Sequence, residues 1–213
     1  MSKNLESNIN EVMRILRKRF QGKAESQKED PFRSIVFTLL SARTRDSQTE
    51  IAYQKVIAKY PSAQALSQAT PETLEPLLAT IGLYRAKARH LVALAEMLIH
   101  DFDGVVPASI EKMALLPGVG RKTANCVMVY GFGKPAVCVD THVHRIVNRL
   151  GWVRTQTPEK TEIALRNILP KRWWLTVNHT LIQFGRAICV PGRPKCWECP
   201  LRDLCAFTYK TVK

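Results

Sequence analysis

The sequence predicts an all-α protein, and three observations carry that expectation. Apolar residues recur at helical spacing, several recurrences open on a capping residue followed by proline, and no useful length alternates apolar with polar as a half-buried strand would. At 213 residues with 46% hydrophobic composition, the chain can build one large core or two small ones.

Taken in order, Ile9, Val12, Met13, Leu16 and Phe20 fall on one helical stripe. The polar run "QGKAESQKED" over 21–30 reads as a linker. Asp30 before Pro31 supplies an N-cap and a proline-tolerant first position for a buried helix through "FRSIVFTLLSA". Further helices are predicted at about 47–60, stopped by Pro61, and at about 71–80, begun by Thr70 and Pro71, with Pro76 an irregularity inside it. Gly82 marks a turn before the long amphipathic helix "LYRAKARHLVALAEMLI", which ends near Gly104. Two short helices flank "PGVG", the second running through "RKTANCVMVYGF". Helices near 141–150, 158–169 and 173–188 complete the pattern, with Trp173 and Trp174 read as core rather than base-stacking groups.

Charge narrows the partner. The chain holds 32 Lys and Arg against 18 Asp and Glu, a net charge of +14 that runs from Arg14, Arg17, Lys18 and Arg19 to Lys210 and Lys213. Such a field favours a polyanion, and nucleic acid is the commonest one. A membrane surface is the rival reading, but no apolar run reaches a bilayer span and "MSKNLESNIN" lacks the apolar core of a signal peptide. The expectation is an intracellular, cytoplasmic protein associated with the nucleoid.

The stretch "LPGVGRKTANCV" joins two glycines to Arg121 and Lys122. A helix, a tight glycine turn and a second helix would leave the amides of Gly118, Val119 and Gly120 open at a helix N-terminus, where they can bind a phosphate. The alternative is an ordinary helix–helix turn. A P-loop fails on spacing, because that motif places glycine directly before lysine and Arg121 intervenes here. Lys122 reads plainly as one more phosphate contact. Beside Arg121 at the start of a helix, however, positive potential disfavours a charged amine, and a neutral one is a nucleophile able to attack a sugar carbon. Asp140, at the end of "AVCVD", reads as the cap of a helix beginning at Thr141 and, compatibly, as a carboxylate placed to stabilise a cationic sugar. His142 and His144 stand two apart and share no helix face, so surface or DNA contacts are expected rather than a metal pair.

The last block, "CVPGRPKCWECPLRDLC", spaces Cys189, Cys196, Cys199 and Cys205 as C-x6-C-x2-C-x5-C. Four thiolates in a short proline-rich loop can close around one metal centre, and the loop is too brief for an apolar core of its own. Spacing alone does not separate zinc from an iron–sulfur cluster.

Together, "LPGVGRKTAN", "VDTHVHRIVNR" and the four-cysteine ending closely resemble the endonuclease III family of DNA glycosylases, from "FTLLSARTRD" to Cys205. The resemblance implies a six-helix barrel domain over 26–134 with a helix-hairpin-helix at about 109–132, and a discontinuous domain of 1–25 plus 135–213 that carries a [4Fe-4S] cluster. It implies Lys122 and Asp140 as catalytic residues and the four cysteines as cluster ligands, choosing iron–sulfur over zinc. The activity implied is removal of oxidised pyrimidines from double-stranded DNA and nicking of the abasic site by β-elimination through a lysine Schiff base, by a monomer. The implied DNA contacts are Gly118, Val119, Gly120, Arg121 and His142, with Leu83 of "IGLY" as an apolar wedge and Arg43 of "SARTRD" facing the orphaned base. Arg43 stands where bacterial members usually carry glutamine. With donors only, it is expected to favour guanine over adenine on the opposite strand, the alternative being a phosphate contact. Two rival functions are a mismatch or uracil glycosylase of the same fold, whose members generally lack the lysine, and a non-catalytic hairpin DNA-binding module with a structural metal.

Overall fold

The computed structural model describes residues 3–20 and 29–213, and among these it contains eleven α-helices and no strand. Most of the expected linker over 21–30 lies outside the described residues. In chain order the helices are α1 (Lys3–Phe20), α2 (Pro31–Ser41), α3 (Asp46–Lys59), α4 (Ala63–Leu66), α5 (Pro71–Leu78) and α6 (Tyr84–Phe102). They continue with α7 (Ile110–Met113), α8 (Arg121–Tyr130), α9 (Thr141–Arg149), α10 (Pro158–Ile168) and α11 (Val177–Ala187). Two compact units result, one of Lys28–Lys134 and one of Met1–Gln27 with Pro135–Lys213.

In the Lys28–Lys134 unit, α6 is the central post. Ala88, Leu91, Leu94, Ala95 and Leu98 form a wide apolar stripe on it, and all are fully buried. α4 and α5 pack on α6, while α2 packs on α3 and α8. Each large aliphatic side chain so buried is worth roughly 1.5–3 kcal/mol of transfer free energy, which makes this core a stiff platform for the loops between its helices. Asp30 caps α2 as its sequence indicates, its carboxylate accepting from the Arg33 amide at 3.0 Å. Pro76 sits inside α5, where it removes one helical donor, yet the eight-residue helix runs on past it to Leu78. The four-residue α4, capped by Ser62, is too short to show a periodicity in sequence.

The other unit is built from α1, α9, α10 and α11. Ile9, Val12, Met13 and Leu16 of α1 are fully buried, with Phe20 packed at the edge of the same core. α11 packs on both α1 and α9. The α9 contact needs a glycine, since a Cβ at Gly185 would come within 2.8 Å of His142 Nδ1 and 2.9 Å of Ile146 Cδ1. The helix predicted over 173–188 is divided. Lys171–Trp173 forms a 3₁₀ turn, and α11 begins only at Val177. Both indoles explain the break, because Trp173 Nε1 donates to Asn10 Oδ1 at 2.8 Å and Trp174 Nε1 to the Leu169 carbonyl at 2.9 Å. Those anchors hold the segment off the helical path while keeping both rings in or against the core.

Candidate nucleic-acid interface and four-cysteine loop

The hairpin forms because its apolar residues point inward and its glycines take the turn. Ser109 caps α7 by accepting from the Lys112 amide, and Leu116 and Val119 are buried on either side of the bend. Gly118 has a φ of +76°, and a Cβ there would lie 2.9 Å from the His90 ring, so both backbone and space demand glycine. Gly120 is extended and stands as the N-cap of α8, its carbonyl accepting from the Ala124 amide. One expectation needs correcting. The Val119 amide is not open, because it donates to the Leu116 carbonyl at 3.0 Å. The turn closes on itself through that bond, which makes Val119 an anchor of the loop rather than a donor from it. Arg121 and Lys122 follow as the first two residues of α8, both exposed.

Two further loops of the same unit carry backbone strain. Arg43 has φ 53° and Leu83 φ 59°, in the left-handed region that non-glycine residues seldom enter. Arg43 directly follows the cap of α2, a position that glycine commonly fills. Leu83 is stranger, since it is the residue before α6, where extended backbone is usual, and its side chain remains 58% exposed. The loops touch: a Cβ on Gly82 would sit 3.0 Å from the Arg43 carbonyl oxygen. Each such backbone costs roughly 1–3 kcal/mol, so the surrounding packing must hold Arg43 and Leu83 in place. The third non-glycine residue of this kind, Asp103, ends α6 beside Gly104 and is an ordinary helix stop.

In the other unit, Asp140 caps α9, its Oδ1 accepting from the Val143 amide at 2.8 Å. The apolar run before it, Ala136–Val139, is buried. His142 is half-buried, with Nδ1 3.2 Å from Arg145 Nη2. His144 is half-buried too. Its Nδ1 lies 2.6 Å from Thr161 Oγ1, and Asn148 beside it accepts from the Thr155 amide, so the ring helps tie α9 to α10.

Cys189, Cys196, Cys199 and Cys205 line one cavity, walled by Ile146, Leu150, Phe184, Ile188, Leu201 and Phe207 among others. Burial pushes the Cys199 thiol up to about 11 and raises that of Cys205 as well. A pocket of this kind favours neutral thiols until a metal centre supplies the compensating charge. Arg149 Nη1 donates to Cys189 Sγ at 3.3 Å and to the Val190 carbonyl at 2.8 Å, its guanidinium lying over the Phe207 ring. Arg145 Nε and Nη2 both donate to the Cys189 carbonyl, at 3.1 and 2.9 Å. Among the described residues no three His, Cys, Asp or Glu side chains gather as a single ion requires. Four thiols around a shared cavity, with the Arg149 guanidinium at the Cys189 sulfur, suit an anionic iron–sulfur cluster held by thiolates.

Comparison with known proteins decides between the readings. Residues 36–171 match the HhH-GPD superfamily of base excision DNA repair proteins, and residues 189–205 match the iron-sulfur binding domain of endonuclease III. Endonuclease III of Thermotoga maritima is 48% identical over 199 residues, covering 93% of this chain and 92% of its own. The chain belongs to the endonuclease III family. The Bacillus subtilis member is 39% identical, covering 86% of this chain and 84% of its own. A solved endonuclease III in a trapped covalent DNA intermediate superposes with a TM-score of 0.86 at 37% identity, covering 94% of this chain and 95% of that one.

Membership makes the chain a base-excision DNA glycosylase with the lyase activity characteristic of the endonuclease III family, and indicates a [4Fe-4S] cluster. The fold is the all-helical one expected, with the hairpin and the cluster-binding loop. No helix among the described residues is long and apolar enough to cross a membrane. One residue escaped sequence reasoning. Lys87 of α6 is buried, although the reading of "LYRAKARHLVALAEMLI" as an amphipathic helix singles out none of its lysines. A signal existed, for Lys87 lies on the apolar stripe of Leu91, Leu94 and Leu98, where a lysine needs acceptors.

Proposed function

We propose that the chain removes oxidised pyrimidines from duplex DNA and nicks the resulting abasic site by β-elimination through a Schiff base on Lys122. The observation that carries this reading is the placement of Lys122, exposed in the first turn of α8 directly after the Gly118–Gly120 turn and Arg121. In that position Gly118, Gly120 and Arg121 meet a backbone phosphate and Lys122 reaches toward the adjoining sugar. His142 adds a further DNA contact, while Val119 supports the loop from within.

The damaged nucleotide must leave the stack before any side chain reaches its sugar. Leu83 fills the space it vacates and Arg43 meets the partner base. The Lys122 amine forms a bond to C1′ as the C1′–base bond breaks, and the Asp140 carboxylate stabilises the positive charge that develops on the sugar. Ring opening gives the Schiff base. Loss of a C2′ proton then expels the 3′ phosphate, which cuts the strand on the 3′ side. Cys189, Cys196, Cys199 and Cys205 hold the [4Fe-4S] cluster, which organises the basic loop bearing Arg193, Lys195 and Arg202. The enzyme works as a monomer on damaged or abasic duplex DNA of the nucleoid, and the +14 charge supports that partner.

The test is a nicking assay on matched duplexes bearing an oxidised pyrimidine, uracil or an abasic site. Cleavage at the first and third with little at the second is expected. Release of uracil without a nick would support a monofunctional relative instead, and binding without reaction on any duplex would support a non-catalytic hairpin module.

A further inference from the structure

Lys87 has no part in the chemistry above, yet it is among the most completely committed side chains in the Lys28–Lys134 unit. It is 4% exposed. Its Nζ donates to the Leu40 carbonyl at 2.8 Å, the Ala42 carbonyl at 2.7 Å and Thr44 Oγ1 at 2.8 Å. An ammonium has three protons, and each finds an acceptor. Two of those acceptors flank Arg43 on either side, and the third lies in the last turn of α2. The backbone amide of Lys87 meanwhile donates to the Leu83 carbonyl at 3.0 Å, closing the first turn of α6. A single residue therefore grips both strained loops, by its side chain at Arg43 and by its main chain at Leu83. Burial lowers its pKa to about 8, which leaves the ammonium predominantly protonated at neutral pH.

We propose that Lys87 is a positioning residue that locks Arg43 and Leu83 into one rigid pair, so that the wedge and the partner-base contact enter damaged duplex together. The left-handed backbone at Arg43 persists because the peptide oxygens around it are held from inside. Tight apposition of Gly82 against the Arg43 carbonyl gives the pair little room to drift apart. The inference rests on the proposed function, since it concerns how that function reads the strand opposite the lesion.

The experiment compares the native protein with Lys87→Met, with Arg43→Gln and with the double variant. Single-turnover excision is measured for one oxidised pyrimidine opposite guanine and opposite adenine, and borohydride trapping on a single-stranded abasic oligonucleotide. The single strand has no partner base to read. Lys87→Met is expected to slow duplex excision by roughly 10- to 100-fold, the scale of a small misplacement at a reacting site. It should also shift the guanine-to-adenine ratio to that of Arg43→Gln and spare single-strand trapping to within about threefold. The double variant should lose much less than the product of the single losses. Thr44→Val, which removes one of three contacts and leaves the ammonium held by two carbonyls, should show the same pattern more weakly and guards against a misfolded Lys87→Met. Equal losses on duplex and single strand in Thr44→Val with the ratio unchanged, or losses that multiply in the Lys87→Met/Arg43→Gln double variant, would overturn the positioning role alone. A native protein inactive on both substrates would overturn the functional reading and this inference with it.

Discussion

The Lys28–Lys134 unit and the Cys189–Cys205 loop of the other unit hold their functional groups by different forces. In the first, Arg43, Leu83 and Gly118 sit on turns with positive φ that are pinned against a dense apolar core and the buried Lys87 ammonium. In the second, a loop with Leu201 as its fully buried apolar residue arranges four thiols around one cavity, backed by Arg149. The first region stores its function in geometry, the second in chemistry. Substitutions should therefore fail in different ways, geometric ones through displacement and chemical ones through the loss of a single group.

The largest effect is expected in the cysteine loop. The purified protein should be brown and hold about four iron atoms per chain, and Cys199→Ser should lose both colour and most of its soluble yield, because the loop is too short for an apolar core of its own. Iron analysis and absorbance check this, and zinc without iron in protein prepared without oxygen would break the contrast. Asp140→Asn sharpens it from the same unit. Asparagine still caps α9, so thermal stability should change by less than about 0.5 kcal/mol. Base release should nonetheless slow by roughly 10²-fold, with a smaller loss of nicking at a preformed abasic site. Equal losses in both steps, with a lower melting temperature, would show that the carboxylate serves the fold instead.

The geometric region should respond more moderately. Gly118→Ala must take a φ of +76° and push against His90, so about 1–2 kcal/mol of stability and roughly tenfold in affinity for abasic duplex should go together. Titrations with the native and variant proteins at fixed salt measure this, and unchanged affinity would remove the hairpin from the interface. Arg43→Gln should have the smallest effect, a few-fold fall in preference for lesions opposite guanine over adenine, consistent with about 1 kcal/mol for one hydrogen bond. If the ratio holds while the salt slope becomes shallower by about 1, Arg43 contacts phosphate and carries no base information.

The two regions also differ in how far the sequence discloses them. The caps of α2 and α9 were legible because Asp30 and Asp140 announce themselves before proline or an apolar stripe, and each accepts the expected amide. The four cysteines were legible because thiol spacing carries its own chemistry. The interface loops were less so. Nothing local in "SARTRD" or "IGLY" states that Arg43 and Leu83 take positive φ, because that conformation is imposed by tertiary contacts with Gly82 and Lys87. Side-chain anchoring was hidden too. The turn of Lys171–Trp173 follows from indole bonds to Asn10 and Leu169, partners far away or facing backward that periodicity cannot supply. His144, likewise, gives no local sign of its bond to Thr161 in α10.

The central claim is that the lysine after the glycine turn is the nucleophile, and borohydride tests it most directly. Native protein mixed with an abasic or oxidised-pyrimidine duplex and borohydride should give a covalent adduct of one chain on one strand, and peptide mapping should place the bond on Lys122. Reduction at the imine fixes the intermediate, so the yield reports Schiff-base formation rather than binding. Lys122→Gln should abolish the adduct while retaining most of its affinity for the abasic duplex, since Arg121 and the glycine turn remain. Undiminished trapping by Lys122→Gln, or an adduct mapped to another amine in the native protein, would contradict the account.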